Sequence, residues 1–417
     1  MAAVCVEAEN SAEARSRMQR GSLVRILRTR SHYFLSCLLV VASIPGFKAA
    51  GLHLSINWQR LIPIYWVGFG TRSILAAVIL AAIGLPSKIT IKPVWAHFSA
   101  QKPRLIIFGA FIVWAFWKFG VYLGLVWISV ALVSTELYDR GEAKLRTVAR
   151  PVVSVILPAM YLFGGLIIVF VYNHLIAAVR DPGGYDWLFL KMDSYLLHGG
   201  TISDLARKVS LRLSSRTFAF TEIVYYRMFD QVGAAILLIS VSQGAKRGLR
   251  LVGTLLTAYY IALLMFYLWP SMGPFYTCPD HFAHFPQWLV TYGTQQNLVS
   301  NVKFLAGQYK GLGQVNTDYF IAFPSLHIAL TIMVLWFMRR WKRIVWVLIA
   351  YDVVLVPAIL LLEWHYVVDL IGGAAVAAIA IWINNPSEKP AVREQHVSAS
   401  SVPLRSEHHP VFDTELA

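Results

Sequence analysis

Long unbroken apolar runs alternate with short basic turns along most of this chain, and that pattern predicts membrane-crossing helices. The runs fall at about 33–50, 62–84, 105–133, 152–177, 228–243, 251–270, 319–338, 344–363 and 366–384. Most approach or exceed the roughly 20 residues that span a hydrocarbon core. They are continuously apolar rather than alternating, which argues against a transmembrane barrel. Between them, 178–227 is too polar to span. Its Tyr185–Leu190 and Leu205–Leu213 stretches carry an amphipathic pattern suited to the bilayer interface. Residues 271–318 read as a long loop rich in Pro, Gly, Tyr and His.

Composition sharpens this picture. Charged residues make up only 14% of the 417 residues and apolar ones 57%, whereas soluble domains carry about a quarter charged residues. The net charge of +15 does not indicate a nucleic-acid partner. The basic residues sit in short blocks between apolar runs, as cytoplasmic anchoring requires, and not on one clustered face. Cys5, Cys37 and Cys278 lack metal-ligand spacing. The arginine-rich arm 1–31 is too long for the charged end of a cleaved signal peptide. It and the polar tail 385–417 are expected to be disordered. Residues 32–150 then hold the early membrane helices and 151–384 the remaining core.

Charge also predicts sidedness. Lys246, Arg247 and Arg250 mark one cytoplasmic turn and Arg339–Arg343 another, while the 271–318 loop carries only Lys303 and Lys310. That loop faces outward or into a lumen, and the C-terminal tail lies in the cytoplasm. Nine crossings would then place the arginine-rich N-terminus outside, against the same rule. Either one early segment does not cross, or the long 105–133 run, interrupted by Lys118, is not one span. Arg72 and Lys118, both inside apolar runs, read as snorkelling or paired charges.

Two motifs carry candidate chemistry. Pro324-Ser325-Leu326-His327 opens one apolar run, and Glu363-Trp364-His365-Tyr366-Val367-Val368-Asp369 opens another, one helical hairpin later. The hairpin returns both histidines to one side of the bilayer, where ionisable groups are costly and so read as functional. His365 and Asp369 lie four apart, on one helical face. A carboxylate on one imidazole nitrogen fixes the tautomer and raises the basicity of the other. Pro324 fits a first helical turn. His327 would thus project where helix amides favour an anion, with the Ser325 hydroxyl beside it. Each motif alone recurs by chance; in this order they read as a phosphate site. His281 and His284 are more simply interfacial residues than metal ligands, and the aromatic residues form membrane belts.

Ala322-Phe323-Pro324-Ser325-Leu326-His327 together with His365-Tyr366-Val367-Val368-Asp369 resembles the last two signature motifs of the type 2 phosphatidic acid phosphatase superfamily. Within it, the chain is most similar to the branch containing inositol phosphorylceramide synthases. The resemblance covers about 152–384. It implies an all-α membrane bundle with a six-helix core, here preceded by about three extra spans. It further implies His365 as a nucleophile forming a phosphohistidine, Asp369 as its partner and His327 as the acid for the leaving oxygen. The substrate would be a membrane lipid and the acceptor water or a polyol, with no metal or other cofactor.

The chain departs from the phosphatases of that superfamily where their cations stand. Ala358 and Ile359 replace a Ser-Arg pair, and Tyr267–Pro274, the counterpart of the first motif, has no cation. Phosphoryl transfer needs positive charge around the equatorial oxygens. Arg227, Lys303 and Lys310 are the available donors, Arg227 first among them. The expected activity is phospho-headgroup transfer of the inositol-phosphate type. The alternatives are hydrolysis of a lipid phosphate and, from a different class, a lipid transporter or non-catalytic lipid-binding member of the fold.

Overall fold

The structure, a computed structural model, describes residues 63–84, 143–279, 285–305 and 321–384. The apolar runs 33–50 and 105–133, Lys118, His281, His284, Lys310 and both terminal arms lie outside the described residues. Helices account for the regular structure: α1 (Pro63–Gly84), α2 (Ala143–Val179), α3 (Asp186–Leu196), α4 (Ile202–Ser210), α5 (Ser215–Gln243), α6 (Ala245–Leu268), α7 (Pro274–Thr277), α8 (Val290–Leu305), α9 (Leu326–Met338), α10 (Lys342–Leu361) and α11 (Val367–Asn384). No strand occurs among the described residues.

Four helices, α5, α6, α10 and α11, are long and apolar enough to cross a membrane, and Arg72–Gly84, Ser154–Phe170 and Leu326–Met338 are shorter apolar helices. Hydropathy located these elements but not their ends. The 228–243 run is the apolar part of a helix that starts at Ser215, because the Ser214 side chain caps it through the Thr217 N–H. The polar segment 178–227 holds α3, α4 and the first turns of α5. Helix α4 is closed at its start by a Thr201–Asp204 capping box. Its Ile202, Ala206 and Ser210 are buried, whereas Leu205 and Val209 are exposed, as interfacial packing requires. The presumed loop 271–318 contains α7 and α8.

Close approaches fix helix directions. A Cβ on Gly165 of α2 would strike Leu256, and one on Gly248 of α6 would meet Pro158, so α2 and α6 run parallel. Arg180 lies over the Tyr267 ring near their other ends. The far end of α1 abuts the start of α10, where Gly84 meets Ile344. Helices α9 and α11 start together: the Ser325 N–H donates to the Asp369 carbonyl at 3.0 Å. A Cβ on Gly373 would come within 2.3 Å of the Ser325 carbonyl oxygen, so only glycine allows this contact. The core between them is filled by Tyr161, Met228, Leu255, Phe266 and Phe337.

Candidate active site

The two motifs meet at the start of α9 and α11. Helix α9 begins at Leu326 with Ser325 as its N-cap. Pro324 therefore stands outside the helix and not in its first turn as the sequence suggests, because the Ser325 amide is taken by the Asp369 carbonyl. The Ser325 side chain does not cap α9, and its hydroxyl is buried with no partner among the described residues. The first-turn amides have no intrahelical acceptor.

Asp369 in the first turn of α11 accepts the Tyr366 N–H at 2.9 Å and His365 Nδ1 at 3.2 Å through the same oxygen, Oδ2. Asp193 of α3 reaches across to accept the Val367 and Val368 N–H groups at 3.0 and 3.1 Å. Two carboxylates thus satisfy three amides where the helix dipole favours negative charge. His365 Nε2 lies 3.1 Å from His327 Nδ1. With Asp369 as the carboxylate, which can only accept, His365 carries its proton on Nδ1 and its Nε2 is the acceptor. His327 Nδ1 is then the donor between the rings, and its Nε2 is buried without a partner among the described residues. The order is carboxylate, attacking imidazole, second imidazole.

Aromatic rings wall the pair. Tyr225 lies 4.7 Å and Phe229 5.8 Å from the His327 ring, centroid to centroid. Trp364 stacks on Tyr225 at 5.5 Å, and its buried Nε1 has no partner among the described residues. Burial pushes the His365 imidazole down to about 3 against an opposing bond to the Ala322 backbone, so His365 is neutral near pH 7.

Two further acids brace the site. Asp186 accepts from the Ser271 hydroxyl at 2.6 Å and from the Met272 and Gly273 amides at 3.1 Å each. Burial outweighs those bonds and raises its carboxyl to about 7. Gly273 has φ 110°, and a Cβ there would lie 2.5 Å from the Trp364 carbonyl oxygen. Asp186 thus presses the 271–274 turn against the segment bearing His365. Glu363 is fully buried at φ 55°. Its carboxyl is raised to about 8, mainly by burial.

The structure brings His327, His365, Asp369 and Ser325 together. It does not bring the expected cations to them. Tyr225 and Phe229 point at His327, so Arg227 between them faces the opposite side of α5, where it pairs with Asp230 at 3.0 Å. Lys303 is exposed on α8. Among the described residues no hydrogen bond or ion pair joins either histidine to a lysine or arginine, and no group of three or more His, Cys, Asp or Glu is placed to hold a metal ion. Ala358 and Ile359 are buried and apolar. Asp186, Asp193, Tyr225 and Trp364 were not singled out from sequence. The one signal was the seven-residue spacing of the two acids, two helical turns apart on α3.

Residues 205–383 match the family model described as the PAP2 superfamily. No curated protein and no solved structure matches the chain. The matched segment contains both histidines and Asp369 but excludes α1 to α3, and so Asp186 and Asp193. It supports the type 2 phosphatidic acid phosphatase superfamily for this part of the chain, and with it phosphatase- or phosphotransferase-type chemistry on phosphate esters. With four helices able to cross a bilayer, the chain is an integral membrane protein.

Proposed function

We propose that this chain transfers a phosphoryl or phosphorylated headgroup, of the inositol-phosphate type, from a membrane lipid to an alcohol at the outer or lumenal membrane face. The observation that carries the reading is the Asp369–His365–His327 chain of contacts at 3.2 and 3.1 Å. In this reading α2, α5, α6, α9, α10 and α11 form the six-helix core, and α1 belongs to the spans before it.

His365 Nε2, freed by the proton on its Nδ1, attacks phosphorus. The P–O bond to the lipid breaks, and the leaving oxygen takes a proton from His327, which enters this step as the imidazolium beside the anionic phosphate and leaves it as the neutral imidazole. The alcohol then gives its proton to His327 and attacks the phosphohistidine, breaking the P–N bond and regenerating neutral His365. Asp369 stabilises the positive charge that His365 acquires. Near-attack geometry needs the two ring nitrogens about 6–7 Å apart with phosphorus between them. In this reading the rings, 3.1 Å apart, separate to admit the phosphorus. Negative charge on the equatorial oxygens is met by the α9 N-terminus, roughly half a charge. The unpartnered Ser325 hydroxyl and Trp364 indole N–H add donors.

The test uses phosphatidylinositol labelled in its headgroup, with and without a long-chain alcohol, on the full chain in mixed micelles. Transfer of label to the alcohol, abolished in His365→Ala, is the expected result. Free inositol phosphate as sole product in both arms assigns hydrolysis and overturns the transferase reading. Unaltered lipid in both overturns enzymatic activity on this donor.

A further inference from the structure

One face of α5 reaches two neighbours. Glu222, Tyr225, Tyr226 and Phe229 recur at three- and four-residue spacing and so share that face. Tyr225 and Phe229 lie against His327. Glu222 and Tyr226 instead meet α8. The Thr291 N–H donates to Glu222 Oε1 at 2.6 Å, and the Tyr226 and Thr294 hydroxyl oxygens lie 3.4 Å apart. Gln295, one turn after Thr291 on the same side of α8, donates from Nε2 to the Leu362 carbonyl at 2.9 Å. Leu362 opens the segment that carries Trp364 and His365. The start of α8 is thereby wedged between α5 and that segment. Tyr225 joins the wedge to the histidine site, since Trp364 stacks on it at 5.5 Å and His327 lies 4.7 Å from it.

Two polar atoms in this wedge are left over. Thr291 and Gln295 are fully buried, and neither Thr291 Oγ1 nor Gln295 Oε1 makes a hydrogen bond among the described residues. The Leu362 carbonyl can only accept, so the Gln295 NH₂ faces it and the amide oxygen is the atom without a partner. Leaving such groups unbonded costs free energy, and native proteins rarely do so away from a ligand or water. An amide oxygen accepts, whereas a hydroxyl both accepts and donates. A phosphate oxygen could use only the second; an alcohol O–H suits both. Glu222 precedes Tyr225 by about 4.5 Å and Phe229 by about 10 Å of helix, toward the Ser215 end of α5 and away from the basic turn Lys246–Arg250. A phosphorus held between the histidines would therefore have Thr291 and Gln295 on its headgroup side.

We infer that Thr291 and Gln295 form a subsite for the hydroxyl groups of a polyol headgroup, the part of the donor lipid that stays on phosphorus during transfer. The inference rests on the headgroup-transfer reading and names what selects the donor: hydroxyls on the headgroup. One polyol O–H donates to the Gln295 oxygen and another pairs with the Thr291 hydroxyl, while the Trp364 indole N–H stays with the phosphoryl oxygens. Thr291 and Gln295 set specificity and take no part in bond-making.

The test measures lipid binding to the full chain by native mass spectrometry, on a His365→Ala background that leaves the lipid uncleaved. The probes are phosphatidylinositol, phosphatidylethanol (a phosphodiester of the same charge without hydroxyls), phosphatidylethanolamine and free inositol. Phosphatidylinositol should bind about tenfold or more tightly than phosphatidylethanol. Thr291→Val and Gln295→Met should each weaken phosphatidylinositol about 3–10-fold, one hydrogen bond's worth, and leave phosphatidylethanol within about twofold; Thr291→Ser should keep the preference. Thr291→Val holds the shape and gives up a hydroxyl that bonds nothing in the chain, so it serves as the folded variant if Gln295→Met does not fold. Equal binding of the two lipids overturns the inference, as does a Thr291→Val protein with undiminished preference. Equal weakening of both lipids would make the pair structural, stronger binding of phosphatidylethanolamine would assign an ammonium, and displacement by free inositol at equal concentration would assign a soluble polyol; each overturns it. Turnover by the wild-type chain separates the two readings. Preference without turnover leaves the subsite standing and removes the chemistry, and turnover without preference does the reverse.

Discussion

Replacing Asp369 by asparagine tests the wiring of the candidate site with little change in volume. Asp369 Oδ2 holds two donors, the Tyr366 amide at 2.9 Å and His365 Nδ1 at 3.2 Å. An asparagine oxygen at the Oδ2 position keeps both donors, and its NH₂ takes the place of Oδ1, which is buried without a partner among the described residues. The reactive tautomer is therefore retained, but the negative charge that stabilises the imidazolium-like transition state is lost. A hydrogen bond to a charged group contributes about 1.5–3 kcal/mol, and we expect kcat to fall about 10–10²-fold. Stability should stay within about 1–2 kcal/mol, since a neutral amide replaces a buried acid and the Tyr366 bond survives. Labelled-lipid turnover in mixed micelles gives the first quantity and thermal melting of the same preparation the second. Turnover equal to wild type, with melting unchanged, would refute the charge argument.

Further expectations follow from the same geometry. Gly373→Ala drives a Cβ against the Ser325 carbonyl. It should cost about 1–3 kcal/mol as overpacking, seen as a lower melting temperature accompanied by lost turnover. Trp364→Phe keeps a ring on Tyr225 but removes the indole N–H. We expect kcat to fall on the order of 10²-fold with KM little changed if that N–H meets the phosphoryl oxygens; an unchanged kcat removes it from the site. Glu363 links stability to pH. Its folded value of about 8 lies above the ordinary 4.5, so the fold favours the protonated carboxyl. Its contribution is complete below about pH 4.5, declines as pH rises toward 8, and amounts to several kcal/mol at about 1.4 kcal/mol per unit. Glu363→Gln should flatten that decline and melt higher than wild type at pH 9; parallel melting profiles would contradict it.

The histidines and Asp369 were legible because their positions depend on a hairpin and a four-residue helical spacing, both local. Helix cores were legible from hydropathy, but helix starts such as Ser215 were not, because capped polar turns extend beyond the apolar run. Arg227 was the clearest misdirection. Sequence gives its distance along α5 but not which face meets His327, and its partner Asp230 is shared with Arg72 from a distant segment. Asp186 and Asp193 lie in a stretch too polar to read as part of a membrane core. Their roles, holding the 271–274 turn and the α11 amides, depend on contacts nearly 90 and 175 residues away along the chain. Such contacts leave no local periodicity.

The most direct measurement of the central claim is to trap the covalent enzyme. Full chain mixed with phosphatidylinositol or phosphatidic acid should be quenched in alkali, where phosphohistidine survives, and digested for mass spectrometry. The account predicts a phosphoryl or phosphoinositol adduct on His365, absent in His365→Ala and accumulating in a His327 variant given a donor with a good leaving group. An adduct on His327 instead, or turnover with no adduct at any quench time, would contradict it.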